Sequence, residues 1–253
     1  MHYHYQTIGE GEPIVFIHGV GQTHNAWELQ KELEDQFQLF MPDLRGHGDS
    51  LITENMTLEY FAQDILKILD DNKVESAHFC GLSLGGVVVQ EIYRQAPERV
   101  RTMILANTTS YAPNFAVDLI AEEQERALCE LSDEEYIDLI ACSNLYKPTD
   151  KELHQAIQTF QINREAYIPS LRAIGGINYL PMLGTSTPMH IIASENDAIT
   201  PYRYNAQVMH LWANKAKMTV LKDAGHLSNI QKPQQFNKIV RDFIAEHTMK
   251  QTV

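Results

Sequence analysis

The segment Phe79-Cys80-Gly81-Leu82-Ser83-Leu84-Gly85-Gly86 constrains this chain more than any other. It joins a strand-like run, Ala77-His78-Phe79-Cys80, to helical periodicity from Val87 to Tyr93, which Pro97 closes. Gly-x-Ser-x-Gly gains meaning in that setting, because a sharp strand-to-helix turn forces its serine into strained backbone angles. Side chains at positions 81 and 85 would collide with the neighbouring strand and helix, and glycine removes both collisions. The Ser83 hydroxyl is then expected above a sheet at a helix N-terminus, where the dipole favours developing negative charge.

The rest of the chain supplies such a sheet. Ile14-Val15-Phe16-Ile17, Gln38-Leu39-Phe40-Met41, Thr102-Met103-Ile104-Leu105-Ala106, Met189-His190-Ile191-Ile192-Ala193 and Met218-Thr219-Val220-Leu221 are short apolar runs separated by amphipathic stretches. That alternation predicts an α/β protein with a mostly parallel sheet flanked by helices. Residues 2–8 are expected to add an edge strand. Helices are expected from about Ala26 to Phe37, after a cap at Thr57, and from about Pro233 to His247. Between Ser110 and Thr187 the rhythm breaks into helical periodicity and loops, with no strand-like run. Residues 110–187 therefore read as a helical cap on a core of residues 1–109 and 188–253. Nine acids between Asp118 and Asp138 meet a single Arg126 and read as its solvated face. Leu119, Ile120, Leu128, Leu131, Ile137 and Ile140 read as its apolar stripe.

A serine hydroxyl is a weak nucleophile and needs a base, itself oriented by a carboxylate. His226, in Asp223-Ala224-Gly225-His226-Leu227-Ser228-Asn229, follows the last strand and is the expected base. For the acid, Ser194-Glu195-Asn196-Asp197 follows the preceding strand. Glu195 competes there, but Asp197 lies farther into the loop and is the expected partner. The position after Ala106 offers Asn107-Thr108-Thr109 and no carboxylate. The oxyanion needs amide donors, expected from Leu84 and from Val20 in the loop His18-Gly19-Val20-Gly21, with His18 holding that loop. His47 likewise reads as a loop-holding residue, and Cys80 as a core thiol.

With these loops in place, the chain resembles the α/β-hydrolase superfamily throughout its length, and within it the 3-oxoadipate enol-lactonases. The resemblance rests on Asp43-Leu44-Arg45-Gly46-His47-Gly48-Asp49-Ser50, the elbow segment through Pro97-Glu98-Arg99-Val100 to Leu105-Ala106-Asn107-Thr108, the acid loop, and Ala224-Gly225-His226-Leu227-Ser228-Asn229-Ile230. It implies the α/β-hydrolase fold, Ser83, Asp197 and His226 as the triad, and lactone opening through an acyl-enzyme. A carboxylate-bearing lactone needs a cation, for which Arg164 and Arg172 lead, followed by Lys147 and Lys151. Trp27 and His24, beside the oxyanion loop, are expected at the mouth of a partly apolar pocket.

Composition narrows the partners. The 33 acidic residues outnumber the 20 basic ones, a net charge of −13, which repels phosphate backbones and anionic lipid. The expected substrate is a small ester or lactone, with no nucleic acid and no membrane. No metal or organic cofactor is called for: His2 and His4 alternate like a ligand pair but have no evident third member. Three cysteines without metal spacing, and no apolar leader, point to a soluble cytoplasmic protein, with a Cys129–Cys142 pair as the alternative to free thiols. Serine at the nucleophile position argues against the haloalkane dehalogenases and epoxide hydrolases of this fold, which use a carboxylate. General carboxylesterases, carbon–carbon bond hydrolases and cofactor-free perhydrolases keep the same triad. A ligand sensor of this fold would differ from all of them in lacking turnover.

Overall fold

The apolar runs of the sequence become the parallel strands of one sheet in the computed structural model, which describes residues 3–51 and 53–248. The strands are β1 (Tyr5–Ile8), β2 (Glu12–Ile17), β3 (Phe37–Pro42), β4 (Ala77–Leu82), β5 (Val100–Ala106), β8 (Met189–Ser194) and β9 (Lys217–Leu221). Two further short strands, β6 (Tyr111–Ala112) and β7 (Ile177–Asn178), pair separately. The seven-stranded order is β1-β3-β2-β4-β5-β8-β9, with only β1 antiparallel to its neighbour. Helices α1 (Leu58–Asp71), α2 (Leu84–Gln95), α7 (Ala206–Trp212), α8 (Ser228–Gln231) and α9 (Pro233–Thr248) belong to this body. The α/β-hydrolase architecture expected from the sequence is therefore present.

Alternation along each strand sends side chains to two apolar layers. In β2, Val15 and Ile17 pack with α1 and α2, while Ile14 and Phe16 pack with Trp27 and the α9 residues Phe236, Val240 and Ile244. Strands covered on both faces have no polar side to show, which is why they read as near-continuous apolar runs. Parallel register brings Ile17, Gly81 and Leu105 level with one another across β2, β4 and β5. Five loops thus emerge at the carboxyl ends of β2, β4, β5, β8 and β9, where open α/β sheets bind ligands.

Three local expectations need correction. The segment expected as an α-helix from Ala26 to Phe37 is a 3-10 helix, His24–Asp35, whose buried Trp27, Gln30 and Leu33 recur at the three-residue spacing of that form. Thr57 occupies the N-cap of α1, but its side chain makes no capping hydrogen bond. The 110–187 region is not free of strands: β6 and β7 pair Tyr111 with Asn178 and Ala112 with Ile177, tying its two ends together. Two-residue strands are too short to show alternation.

Between β6 and β7 lie α3 (Asn114–Glu130), α4 (Asp133–Ser143), α5 (Asp150–Ile157) and α6 (Arg164–Arg172). Capping boxes set two of their starts: Ser132 with Glu135 opens α4, and Thr149 with Glu152 opens α5. Ala121, Leu128, Tyr136, Ile140, Tyr167 and Ile168 form a small core of their own. All nine acids of the 118–138 run are exposed. Among the described residues no helix is long and apolar enough to cross a membrane.

Candidate active site

Ser83 sits between β4 and α2 at φ 55° and ψ −121°, left-handed backbone that a non-glycine residue adopts only when its surroundings compel it. The compulsion comes from β5 and the residues beyond it. The Ser83 amide donates to the Ala106 carbonyl at 3.0 Å, and the Thr108 hydroxyl donates to the Ser83 carbonyl at 2.6 Å. A Cβ at Gly85 would lie 1.9 Å from the Ile17 carbonyl oxygen, and one at Gly81 would lie 2.3 Å from the Gly85 oxygen. Both glycines are therefore required by close approach. Ser83 remains partly accessible, at the N-terminus of the 12-residue helix α2.

His226 and Asp197 arrive from the loops after β9 and β8. The His226 Nδ1 lies 2.9 Å from Asp197 Oδ2, and both side chains are buried. Asp197 also accepts from the amides of Ile199 (2.8 Å) and Thr200 (2.9 Å), from the Thr200 hydroxyl (2.6 Å) and from the Asn107 amide group (2.9 Å). Burial pushes the Asp197 carboxyl up, but the His226 imidazole and these donors outweigh it and hold the group well below the usual carboxylate range. Asp197 is thus an ionised acceptor that fixes the imidazole with its Nδ1 proton inward, leaving Nε2 for chemistry. Glu195 is exposed and does not meet His226.

Asn107 carries no periodic signal in the sequence, yet it joins all three loops. Its side chain donates to Asp197 and to Ser194 Oγ, each at 2.9 Å, and accepts from the Ser228 hydroxyl at 2.6 Å. It too is left-handed, at φ 43°. The only clue in the sequence is its place after β5, where it stands instead of a carboxylate.

Ser83 and His226 open into one cavity of about 340 Å³, whose wall also includes Gly19, Val20 and Leu84. The first amide of α2, that of Leu84, has no intrahelical acceptor by helix geometry. The β2 loop is held by His18: the Leu44 amide donates to His18 Nε2 at 3.0 Å, so Nδ1 carries the proton it donates to the Gly19 carbonyl at 2.8 Å. Burial lowers the His18 pKa, keeping this ring neutral. His47 is held similarly, with Nδ1 2.9 Å from the Arg45 carbonyl and its pKa lowered by burial to about 3. The insert supplies the opposite wall, from Val117, Ile120 and Gln124 of α3, Ile140 of α4, Phe160, and Tyr167 and Leu171 of α6.

The four expected substrate contacts lie elsewhere. Trp27 is fully buried on the far layer, its ring 4.9 Å from that of Phe16, because the 3-10 segment turns it into the core. His24 binds Asp43, with Nδ1 2.9 Å from Oδ1. Arg164 pairs with Asp133 at 2.7 Å and braces the α3–α4 turn through the Leu128 and Leu131 carbonyls. Arg172 faces Glu125 at 3.3 Å, and Lys147 lies over the Tyr146 ring. The two remaining cysteine questions also close: Cys129 and Cys142 are free and exposed, and Cys80 is free and buried.

His4 does have partners that the sequence did not reveal; His2 lies outside the described residues. His4, His24 and Asp43 come together in a set of metal-ligand residue types. Asp43 accepts from His4 Nδ1 (2.7 Å), His24 Nδ1 (2.9 Å) and the amides of His24 (2.6 Å) and Asp49 (3.1 Å), which occupies its lone pairs. The cluster pins the approach to β1 against the exit of β3.

Comparison with known proteins agrees with this fold. The family profile described as alpha/beta hydrolase fold matches residues 12–140. Among the relatives of this chain, 3-oxoadipate enol-lactonase 1 of Acinetobacter baylyi is 30% identical over 91% of this chain and 88% of its own length. The pimeloyl-[acyl-carrier protein] methyl ester esterase of Photobacterium profundum is 28% identical over 95% of this chain and 97% of its own. Among solved structures, a thermophilic esterase from Thermogutta terrifontis superposes with a TM-score of 0.87 at 19% identity, covering 97% of this chain and 93% of that one. The chain belongs to the alpha/beta hydrolase fold family.

Proposed function

We propose that this protein is a serine hydrolase that cleaves a small ester or lactone through an acyl-enzyme, with Ser83, Asp197 and His226 as its triad. The observation that carries the reading is Ser83, strained at a strand–helix turn, sharing a cavity with a histidine bonded to a buried carboxylate. His226 Nε2 takes the Ser83 proton as the hydroxyl oxygen attacks the substrate carbonyl, and Asp197 stabilises the imidazolium. The amides of Val20 and Leu84 receive the oxyanion. Collapse of the tetrahedral intermediate breaks the carbon–oxygen bond, and His226 protonates the departing oxygen. Water, deprotonated by His226, then attacks the acyl carbon, and Ser83 recovers its proton as the acid leaves. No step requires a metal or an organic cofactor.

The likeness to an enol-lactonase and to a methyl ester esterase supports lactone or ester substrates. The test is a time course of acyl release with short-chain nitrophenyl esters, simple lactones and 3-oxoadipate enol-lactone, comparing wild type with Ser83→Ala. Many turnovers by wild type and none by the variant would support the reading. Stoichiometric release by wild type would point to a sensor, and an active Ser83→Ala would remove the serine from the mechanism.

A further inference from the structure

The cavity wall bears on substrate class, an inference that rests on the triad reading above. Apart from the reacting groups, the wall is mostly apolar, built from Val117, Ile120, Ile140, Phe160, Leu171 and Ile174 among others. Among the described residues lining it there is no Asp, Glu, Lys or Arg. Two cations of the insert pair outside the cavity, Arg164 with Asp133 and Arg172 with Glu125. A carboxylate entering this space would lose its water and find no counter-charge, within a protein of net charge −13. An apolar chain would instead exchange water for the matching wall.

Several polar lining groups already have partners. Gln22, Thr108, Asn144 and Thr200 commit donors to Thr159, the Ser83 carbonyl, the Ile140 carbonyl and Asp197 respectively. Gln124 differs. Its Oε1 accepts from the hydroxyl of Tyr136 at 2.5 Å, and Tyr136 is fully buried with its ring edge-on to Tyr167 at 5.5 Å. That bond fixes the amide with its NH₂ as the end left to donate. We propose that the substrate is an uncharged ester or lactone with an apolar acyl portion, and that Gln124 donates a hydrogen bond to a neutral acceptor on it.

A matched pair isolates the charge: dimethyl adipate, which is neutral, and monomethyl adipate, which is an anion of the same length at pH 7.5. The diester is expected to show kcat/KM higher by about 100-fold or more, so that methanol release stops near one equivalent. Half-ester hydrolysis within tenfold of the diester, with a second equivalent of methanol following the first, would overturn the proposal. Fluorophosphonate labelling of Ser83, with each ester as competitor, reads the same preference independently of turnover. Protection by the diester alone supports the proposal, and equal protection by the half-ester overturns it. If Ser83 takes no label, the triad reading fails first and this inference falls with it. Gln124→Lys places a cation on the wall and is expected to raise half-ester kcat/KM, relative to the diester, at least about tenfold. An unchanged ratio would remove Gln124 from the substrate wall.

Discussion

The sheet and the helical insert meet at one cavity but are built to different standards. On the sheet side Asp197 and Ser83 are each held several times over. Asp197 has donors from a histidine, an asparagine, a threonine and two backbone amides, and Ser83 is tied to β5 at its amide and its carbonyl. The insert has a six-residue core and leaves Phe115, Leu119 and Leu139 largely in solvent. Its wall is mostly side-chain bulk, with Gln124, Ser143, Asn144 and Tyr167 among its polar members. The contrast is a division of labour: the sheet side fixes the proposed triad with redundant hydrogen bonds, whereas the insert closes the cavity mostly with apolar side chains.

The sharpest break of that comparison removes the nucleophile. Ser83→Ala is expected to lower kcat by roughly 10⁴-fold or more while leaving the thermal midpoint close to wild type, as read by steady-state kinetics and calorimetry. Asn107→Leu removes a donor from Asp197 while keeping bulk. It is expected to cut kcat by roughly 10- to 100-fold with KM nearly unchanged, because a positioning residue acts on the transition state through its neighbours. A KM increase at constant kcat would instead make Asn107 a substrate contact.

A pair of truncations then compares the two regions directly. Trp27→Ala opens a hole in the far layer and is expected to destabilise the protein by about 3–5 kcal/mol in urea unfolding, with little change in acyl preference. Leu171→Ala, in the half-buried insert wall, is expected to cost about 1 kcal/mol or less and to shift the preferred acyl length by several-fold in kcat/KM. If Trp27→Ala changed preference and Leu171→Ala did not, the division of labour would be reversed.

An effect of similar modest size depends on pH. Burial lowers the pKa of His47 to about 3 and those of His78 and His190 to about 4, and all three belong to the sheet body. Folded pKa values below the unfolded value near 6.5 mean that the unfolded chain binds more protons as the solution is acidified. Their contribution is neutral above about pH 6.5 and becomes destabilising as pH falls toward 4. His78→Gln, which removes one of these groups, is expected to lessen the stability lost between pH 7 and 4.5 by on the order of 1–2 kcal/mol in urea midpoints. An unchanged pH dependence would mean that His78 is protonated in the folded state.

The same division governs what could be read in advance. Strands buried on both faces leave unbroken apolar runs, and the elbow needs glycines at fixed offsets, so β2, β4, β5, β8, β9 and Ser83 all carried local signals. Asp197 and His226 were legible because each follows a strand and few carboxylates compete there. Asn107 was not, since an asparagine after a strand looks like any turn residue until three loops converge on it. Amphipathicity in the insert showed that helices pack but not against what. Ile120 and Leu119 shared one expected apolar stripe, yet Ile120 lines the cavity while Leu119 is 66% exposed. Trp27 misled because nearness in sequence to the β2 loop says nothing about which layer a 3-10 turn faces.

Under the proposed mechanism Ser83 carries a covalent acyl intermediate, formed with help from His226. The test is to acid-quench a reaction with a nitrophenyl ester and measure the mass of the intact protein and of its proteolytic peptides. A gain of one acyl group on the peptide containing Ser83 is expected, absent in Ser83→Ala and much slower to form in His226→Ala. Steady ester turnover with no acyl adduct at any quench time, or an adduct on another residue, would contradict it.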